Sequence, residues 1–240
     1  MARQFAAGTS DIAYVPAFNL SGTSYYFVSA WLYRTDNTQT NKILFESAPS
    51  GTGFDVVANA NVGGVSNDLI RSYDATHTWS DTYVPPAAGA WHHYVWIIAG
   101  NGPGNPPGSF NLVYIDGAAR TLSNPAHNFP PANPGTNDFS IMGRRNAGVS
   151  SLFLSGSVAE FAMWSSPTMC NTPTQYVKQL AEGANPMRVR RTEAIMYLPF
   201  YGVDSPEPDY HGAQRSATLG GNSSRVNHPP TARGLVNFGD

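Results

Sequence analysis

Apolar and polar residues alternate with period two along most of the chain, which predicts β-strands rather than helices. The clearest case is YYFVSAWLYR at 25–34. There Tyr25, Phe27, Ser29, Trp31 and Tyr33 would share one face, and Tyr26, Val28, Ala30 and Leu32 the other. WHHYVWII at 91–98 is apolar on both faces: Trp91, His93, Val95 and Ile97 on one, His92, Tyr94, Trp96 and Ile98 on the other. Such a strand is covered on both sides. One side would meet an opposing sheet; the other, a loop, a helix or another subunit. FNLVYIDG at 110–117, FSIMGRR at 139–145, GSVAEFAMW at 156–164 and AIMYLPF at 194–200 complete the second half.

The first half adds DIAYVPAF at 11–18, an edge strand because Pro16 cannot donate to a ladder. KILFES at 42–47 and FDVVANA at 54–60 flank a turn, and DLIRSYDA at 68–75 follows. Residues 76–90 and 123–138 read as loops, and 100–109 is a cluster of breakers. Asp116-Gly117 is a hairpin signal, since Gly tolerates positive φ. One helix is predicted, with Thr172 as N-cap, Pro173 in its first position and Gln175 closing a capping box. Tyr176, Val177 and Leu180 fall at helical spacing, and Gly183 stops it. No internal repeat is present. The expected organisation is one sandwich over 1–200 and an extended irregular tail over 201–240.

Composition narrows the function. A chain of 240 residues supports a large β-domain without disulfides or metal, in keeping with its single Cys170. Net charge is −2, which argues against nucleic acid and anionic membrane as partners. No stretch reaches the length of a membrane span, and the N-terminus has no apolar signal region. Only 12% of residues are charged, against about 25% in soluble domains. A surface of that kind packs against neighbours at low desolvation cost. Twelve of the fourteen basic residues are Arg, suited to fixed planar contacts.

Six short motifs occur in order: Val28-Ser29-Ala30-Trp31, Trp91-His92-His93-Tyr94-Val95, Tyr114-Ile115-Asp116-Gly117, Ile141-Met142-Gly143-Arg144, Gly156 to Phe161, and Leu180-Ala181-Glu182-Gly183. Together they resemble the laminin-G-like domains of the concanavalin A-like jelly-roll superfamily over roughly residues 10–200. The resemblance implies an all-β, two-sheet antiparallel sandwich with one sheet concave, a short helix and neighbouring termini. SPEPD at 205–209, with HPP at 228–230, is similar to the ends of laminin-G-like proteins of tailed bacteriophages.

Catalytic signatures are sparse. Glucanases of that superfamily cluster acids on one strand, so that one attacks and another protonates. This chain has five Glu; its E-x-D is Glu207-Pro208-Asp209 in the tail, and Glu160 stands alone in its strand, where a bond to backbone at the sheet edge is expected. His92 and His93 point to opposite faces and cannot chelate one ion; His93 reads as a structural group and His92 as a surface one. Some relatives bind calcium at the rim, and Asp74, Asp81 and Asp138 are the acids available for it. The best glycan candidate is Tyr73, His77, Trp79, Asp81 and Tyr83, which put aromatics beside hydrogen-bonding groups; the same aromatics could instead plug the second face of 91–98.

The sequence therefore supports a non-enzymatic protein and leaves two readings. One is a virion component, a decoration protein on a phage capsid, made in the host cytoplasm and partnered by copies of itself and a major capsid protein. Arg188, Arg190, Arg191, Tyr210, Arg215, Arg225, Arg233 and Phe238 are its expected contact residues. The other is a glycan-binding adhesion module on a phage tail or cell surface.

Overall fold

The alternating segments form strands, and backbone pairing sorts them into two antiparallel sheets. The computed structural model describes residues 2–16, 25–47, 53–62, 65–73, 78–99, 109–123, 126–127, 138–146, 148–201, 205–212 and 215–229. In chain order the strands are β1 (Ala2–Phe5), β2 (Ile12–Val15), β3 (Tyr25–Arg34), β4 (Lys42–Glu46), β5 (Gly53–Val62), β6 (Val65–Tyr73), β7 (Thr78–Tyr83), β8 (Trp91–Ala99) and β9 (Ser109–Ile115). They continue with β10 (Ala118–Arg120), β11 (Ala126–His127), β12 (Phe139–Ile141), β13 (Arg144–Asn146), β14 (Val149–Ser151), β15 (Gly156–Trp164), β16 (Ala194–Leu198), β17 (Thr218–Gly220) and β18 (Ser224–Val226). The front sheet runs β10-β9-β8-β3-β15-β1-β18, with β11 on β9 and β16 on β15; the back sheet runs β17-β2-β12-β4-β5-β6-β7.

The inner faces meet as the alternation requires. Tyr26, Val28 and Leu32 of β3 and Tyr94, Trp96 and Ile98 of β8 pack on Phe45, Val56 and Ile70 of the back sheet. A buried indole needs an acceptor, and Trp96 Nε1 donates to the Tyr83 hydroxyl at 2.8 Å. Further polar ties cross the sandwich from Arg34 to Asp68 at 2.8 Å and from Asn111 to Asp81 at 2.5 Å.

The second apolar face of β8 is covered by helices, not by residues 76–90. Helices α1 (Pro167–Asn171) and α2 (Thr174–Ala181) bring Met169, Val177 and Leu180 onto Phe27, Val95, Ile97 and Trp164. Burial of each such side chain is worth about 1.5–3 kcal/mol, which outweighs the weak propensity of helices this short. Ser166 caps α1 by accepting from Met169 N at 3.0 Å. The expected cap, Thr172, ends α1 instead, its hydroxyl donating to Thr168 O at 2.9 Å. Pro173 then occupies the N-cap of α2 and makes no side-chain cap bond.

Two expectations are corrected here. Residues 78–83 are not loop but strand β7, paired along β6 at the end of the back sheet. The stretch from 201 onward is not an extended irregular tail throughout, and the sandwich does not end at 200. Strand β17 pairs with β2, and β18 pairs with β1, so residues 218–226 add a strand to each sheet beside the N-terminal segment. Gly221, at φ 77°, turns between them, and a Cβ there would lie 2.1 Å from Asp11 Oδ1. The same carboxylate accepts Asn222 N at 2.6 Å.

Candidate functional site

The outer face of the front sheet has two halves. Helices cover one. Across the other runs a transverse row set by register: Trp91 opposite Tyr33, Tyr33 opposite Ser157, Ser157 opposite Gln4, Gln4 opposite Ser224. Cross-strand neighbours on one face lie close enough to act together. The Trp91 and Tyr33 rings sit 5.8 Å apart at 59°. Trp91, Tyr33 and Gln4 are partly exposed and Ser224 is exposed, whereas Ser157 is buried. The next row is His93, Trp31, Ala159, Ala2 and Val226, of which all but Val226 are buried, with Trp91 and Val226 packed against them. Gly156 lets β15 come this close to β3; a Cβ there would lie 2.5 Å from the Tyr33 carbonyl.

Behind Trp31 the sheet turns polar. Trp31 stands 5.2 Å from the His93 ring. His93 is buried, its Nε2 is 2.9 Å from Ser29 Oγ, and burial pushes its pKa down to about 3. It is therefore neutral and structural, as expected. His92 lies nearer the surface with Nδ1 2.6 Å from Asp116 Oδ2. With His93 N donating to Asp116 Oδ1 at 2.9 Å, that holds Asp116 of the Asp116-Gly117 hairpin (φ 53° and 81°) against the start of β8.

Glu160 is not at a sheet edge bonding backbone. It occupies an irregularity of β15 in mid-sheet, at φ 54°, where Ala159 and Ala162 break register with β3. Tyr197 and Tyr201 donate their hydroxyls to its carboxylate, and His228 Nε2 lies 2.9 Å from Oε1. Sequence reasoning missed this cluster because its members are up to 68 residues apart.

Of the glycan candidates chosen from sequence, the two whose side chains are described are buried. Tyr83 is 1% exposed and holds Trp96; Asp81 is fully buried against Asn111. Tyr73 and Trp79 lie in β6 and β7, but their side chains, and all of His77, fall outside the described residues. Of the calcium candidates, Asp138 pairs with Arg145 at 2.9 Å. It directly precedes strand β12, which is four strands from β7 and Asp81, roughly 19 Å at ~4.8 Å per strand, so those two cannot share an ion; Asp74 lies outside the described residues. Among the described residues no group of three His, Cys, Asp or Glu could hold a metal.

The contact residues expected for a particle are scattered. Arg190 pairs with Glu193, and Arg215 donates to the Ile195 carbonyl. Arg188, Arg191 and Arg225 are exposed, as is Tyr210 at 56%. Arg233 and Phe238 lie outside the described residues.

Residues 7–168 match the family Laminin_G_3 of the concanavalin A-like lectin/glucanases superfamily, and the chain belongs to that family. No curated protein matches the sequence significantly. Among solved structures, a candidate carbohydrate-binding protein from Bacteroides ovatus is similar at a TM-score of 0.63 and 17% identity, over 95% of this chain and 60% of that one. Tailspike protein 2 of Escherichia coli bacteriophage CAB120 is similar at 0.52 and 13% identity, over 82% of this chain and 26% of that one. This chain thus spans less than two thirds of the first protein and about a quarter of the second. At such identities the likeness is one of fold.

Proposed function

We propose that the protein binds glycans without transforming them, through the row Trp91, Tyr33, Ser157, Gln4 and Ser224. The observation that carries this is the row itself: two partly exposed aromatic rings beside uncharged hydrogen-bonding side chains on one sheet face. Sugars present an apolar face to rings and hydroxyls to amides and alcohols, so a site of mostly apolar lining with a few placed polar groups suits them. Binding rather than hydrolysis is supported by Glu160, whose carboxylate is taken up by Tyr197, Tyr201 and His228. The likeness in fold to a candidate carbohydrate-binding protein and to a tailspike is in keeping with this reading.

Glycan-array binding, repeated with Trp91→Ala and Tyr33→Ala, tests the proposal. Both variants should fold as the parent does and lose the parent's signals; equal signals from all three proteins would overturn it. The capsid-decoration reading drew on an extended tail reaching a neighbour. Residues 205–212 and 215–229 pack on their own chain instead, so low charge and the phage-like tail sequence are what still support it.

A further inference from the structure

We infer that this face takes an uncharged oligosaccharide laid across the strands, about four sugars long at roughly one sugar per ~4.8 Å strand spacing, with one hydroxyl seated behind Trp31. The inference rests on the glycan-binding reading above and adds the class, direction and length of the ligand.

Direction and length come from the register. Trp91 to Ser224 crosses β8, β3, β15, β1 and β18, four spacings or roughly 19 Å. Along the strands the open face is short, because the helices begin to cover it beyond Ser29. A chain lying across the strands therefore meets both the rings and the amide and hydroxyl of Gln4 and Ser224, whereas one lying along them meets the helices.

Class comes from charge. Neither row carries a charged side chain: the first is Trp, Tyr, Ser, Gln, Ser and the second His, Trp, Ala, Ala, Val. Arg225 sits between Ser224 and Val226 and alternates away from their face. An acidic sugar would find no cation among the described side chains of these two rows to replace its hydration, and burying an unpaired carboxylate is costly.

The seat for a hydroxyl is a crevice of about 10 Å³ lined by Trp31, Ser29, His93, Glu160 and Leu180. That is the volume one water needs. Ser29, His93 and Glu160 give the crevice a polar lining, which suits a hydroxyl better than an apolar group. One hydroxyl matches the space. A carboxylate or sulfate exceeds it and would face the Glu160 carboxyl.

The test uses the whole chain on an array of neutral glycans together with sialylated, sulfated and uronic acid glycans. Isothermal titration then follows the best neutral series from disaccharide to hexasaccharide. The expected result is neutral hits only, with affinity rising to about the tetrasaccharide and then level, and little change with salt. Trp91→Ala should weaken binding roughly tenfold or more, as loss of an aromatic anchor does, and Gln4→Ala should weaken only the longer ligands. Binding that depends on Trp91 but prefers acidic glycans, or that saturates at a disaccharide, overturns this inference and leaves the platform standing. Absence of Trp91-dependent binding to any glycan overturns both. So does light scattering that shows a dimer made monomeric by Trp91→Ala, since a second copy would then cover the face.

Discussion

Across the outer face of the front sheet, the row Trp91, Tyr33, Ser157, Gln4 and Ser224 carries no formal charge. Across the outer face of the back sheet, register aligns Thr218, Tyr14, Ser140, Glu46, Asp55, Arg71 and Ser80. There Glu46 and Asp55 are almost wholly buried. Arg71 reaches Asp55 at 2.6 Å, and Arg144 reaches Glu46 at 2.9 Å and Asp55 at 3.6 Å. Both rows come from the same period-two alternation, yet they have opposite fates. Buried carboxylates must be paired, so the back row needs the hairpin of β13 and β14 that delivers Arg144. Beside it, Ile43, Val57 and Leu69 pack with Leu152, which extends that cover. The front row has no such need and stays partly open. A charged row on a sheet is here a closed, structural surface, and an uncharged aromatic row is the one left for a ligand.

Both rows end on the C-terminal segment, at Thr218 and at Ser224, so its removal is the harshest way to break the comparison. Deleting 202–240 takes away β17, β18, His228 and Glu207, which faces the buried Arg3 at 3.7 Å. Stripping partners from a buried charge alone costs about 3–5 kcal/mol. The truncated chain should lose its cooperative thermal transition by circular dichroism; unchanged melting would mean the segment is dispensable to both sheets.

Acid should strike the uncharged face rather than the charged one. His93 falls from 6.5 unfolded to about 3 folded, so the folded chain binds one proton fewer between those values. Its contribution is complete above pH 6.5 and is lost as the pH drops, by some ~4–5 kcal/mol at pH 3. Glu46 has the opposite sign. Burial raises its pKa against the pull of Arg144, so its ionisation costs stability as the pH rises, and its protonation is no cause of acid unfolding. Urea midpoints from pH 7 to 4 should flatten in His93→Asn and fall at least as steeply as the parent's in Glu46→Gln.

At neutral pH, Arg144→Ala should cost about 3 kcal/mol in urea unfolding, because it leaves Glu46 buried and short of its main partner. The matching change in the front row, Gln4→Ala, should fall within about 0.5 kcal/mol and show itself as a few-fold loss of glycan affinity. If the two variants lost equal stability, the rows would not differ in kind.

The fold and the faces of its long strands were legible because period two assigns each residue a side. Thus Phe27, Trp31 and Tyr33 were placed together, as were Trp91 and His93. Polar composition hid β7, and β17 and β18 are too short, at three residues each, to show a period. Glycan candidates drawn from 73–83 failed at Tyr83 and Asp81 because alternation within β7 turned both inward.

By itself the sequence determined that this is an antiparallel sandwich, that β8 has two apolar faces, and that Asp116-Gly117 turns a hairpin. Those follow from local sterics and the hydrophobic period, which every residue carries with it. Only the tertiary structure decided that α1 and α2 cover one half of the outer face and leave Trp91 and Tyr33 on the other. It also decided that Glu160 gathers Tyr197, Tyr201 and His228, and that the C-terminal segment completes both sheets. These depend on contacts between residues far apart in the chain, whose energies exist only once the sheets have brought them together.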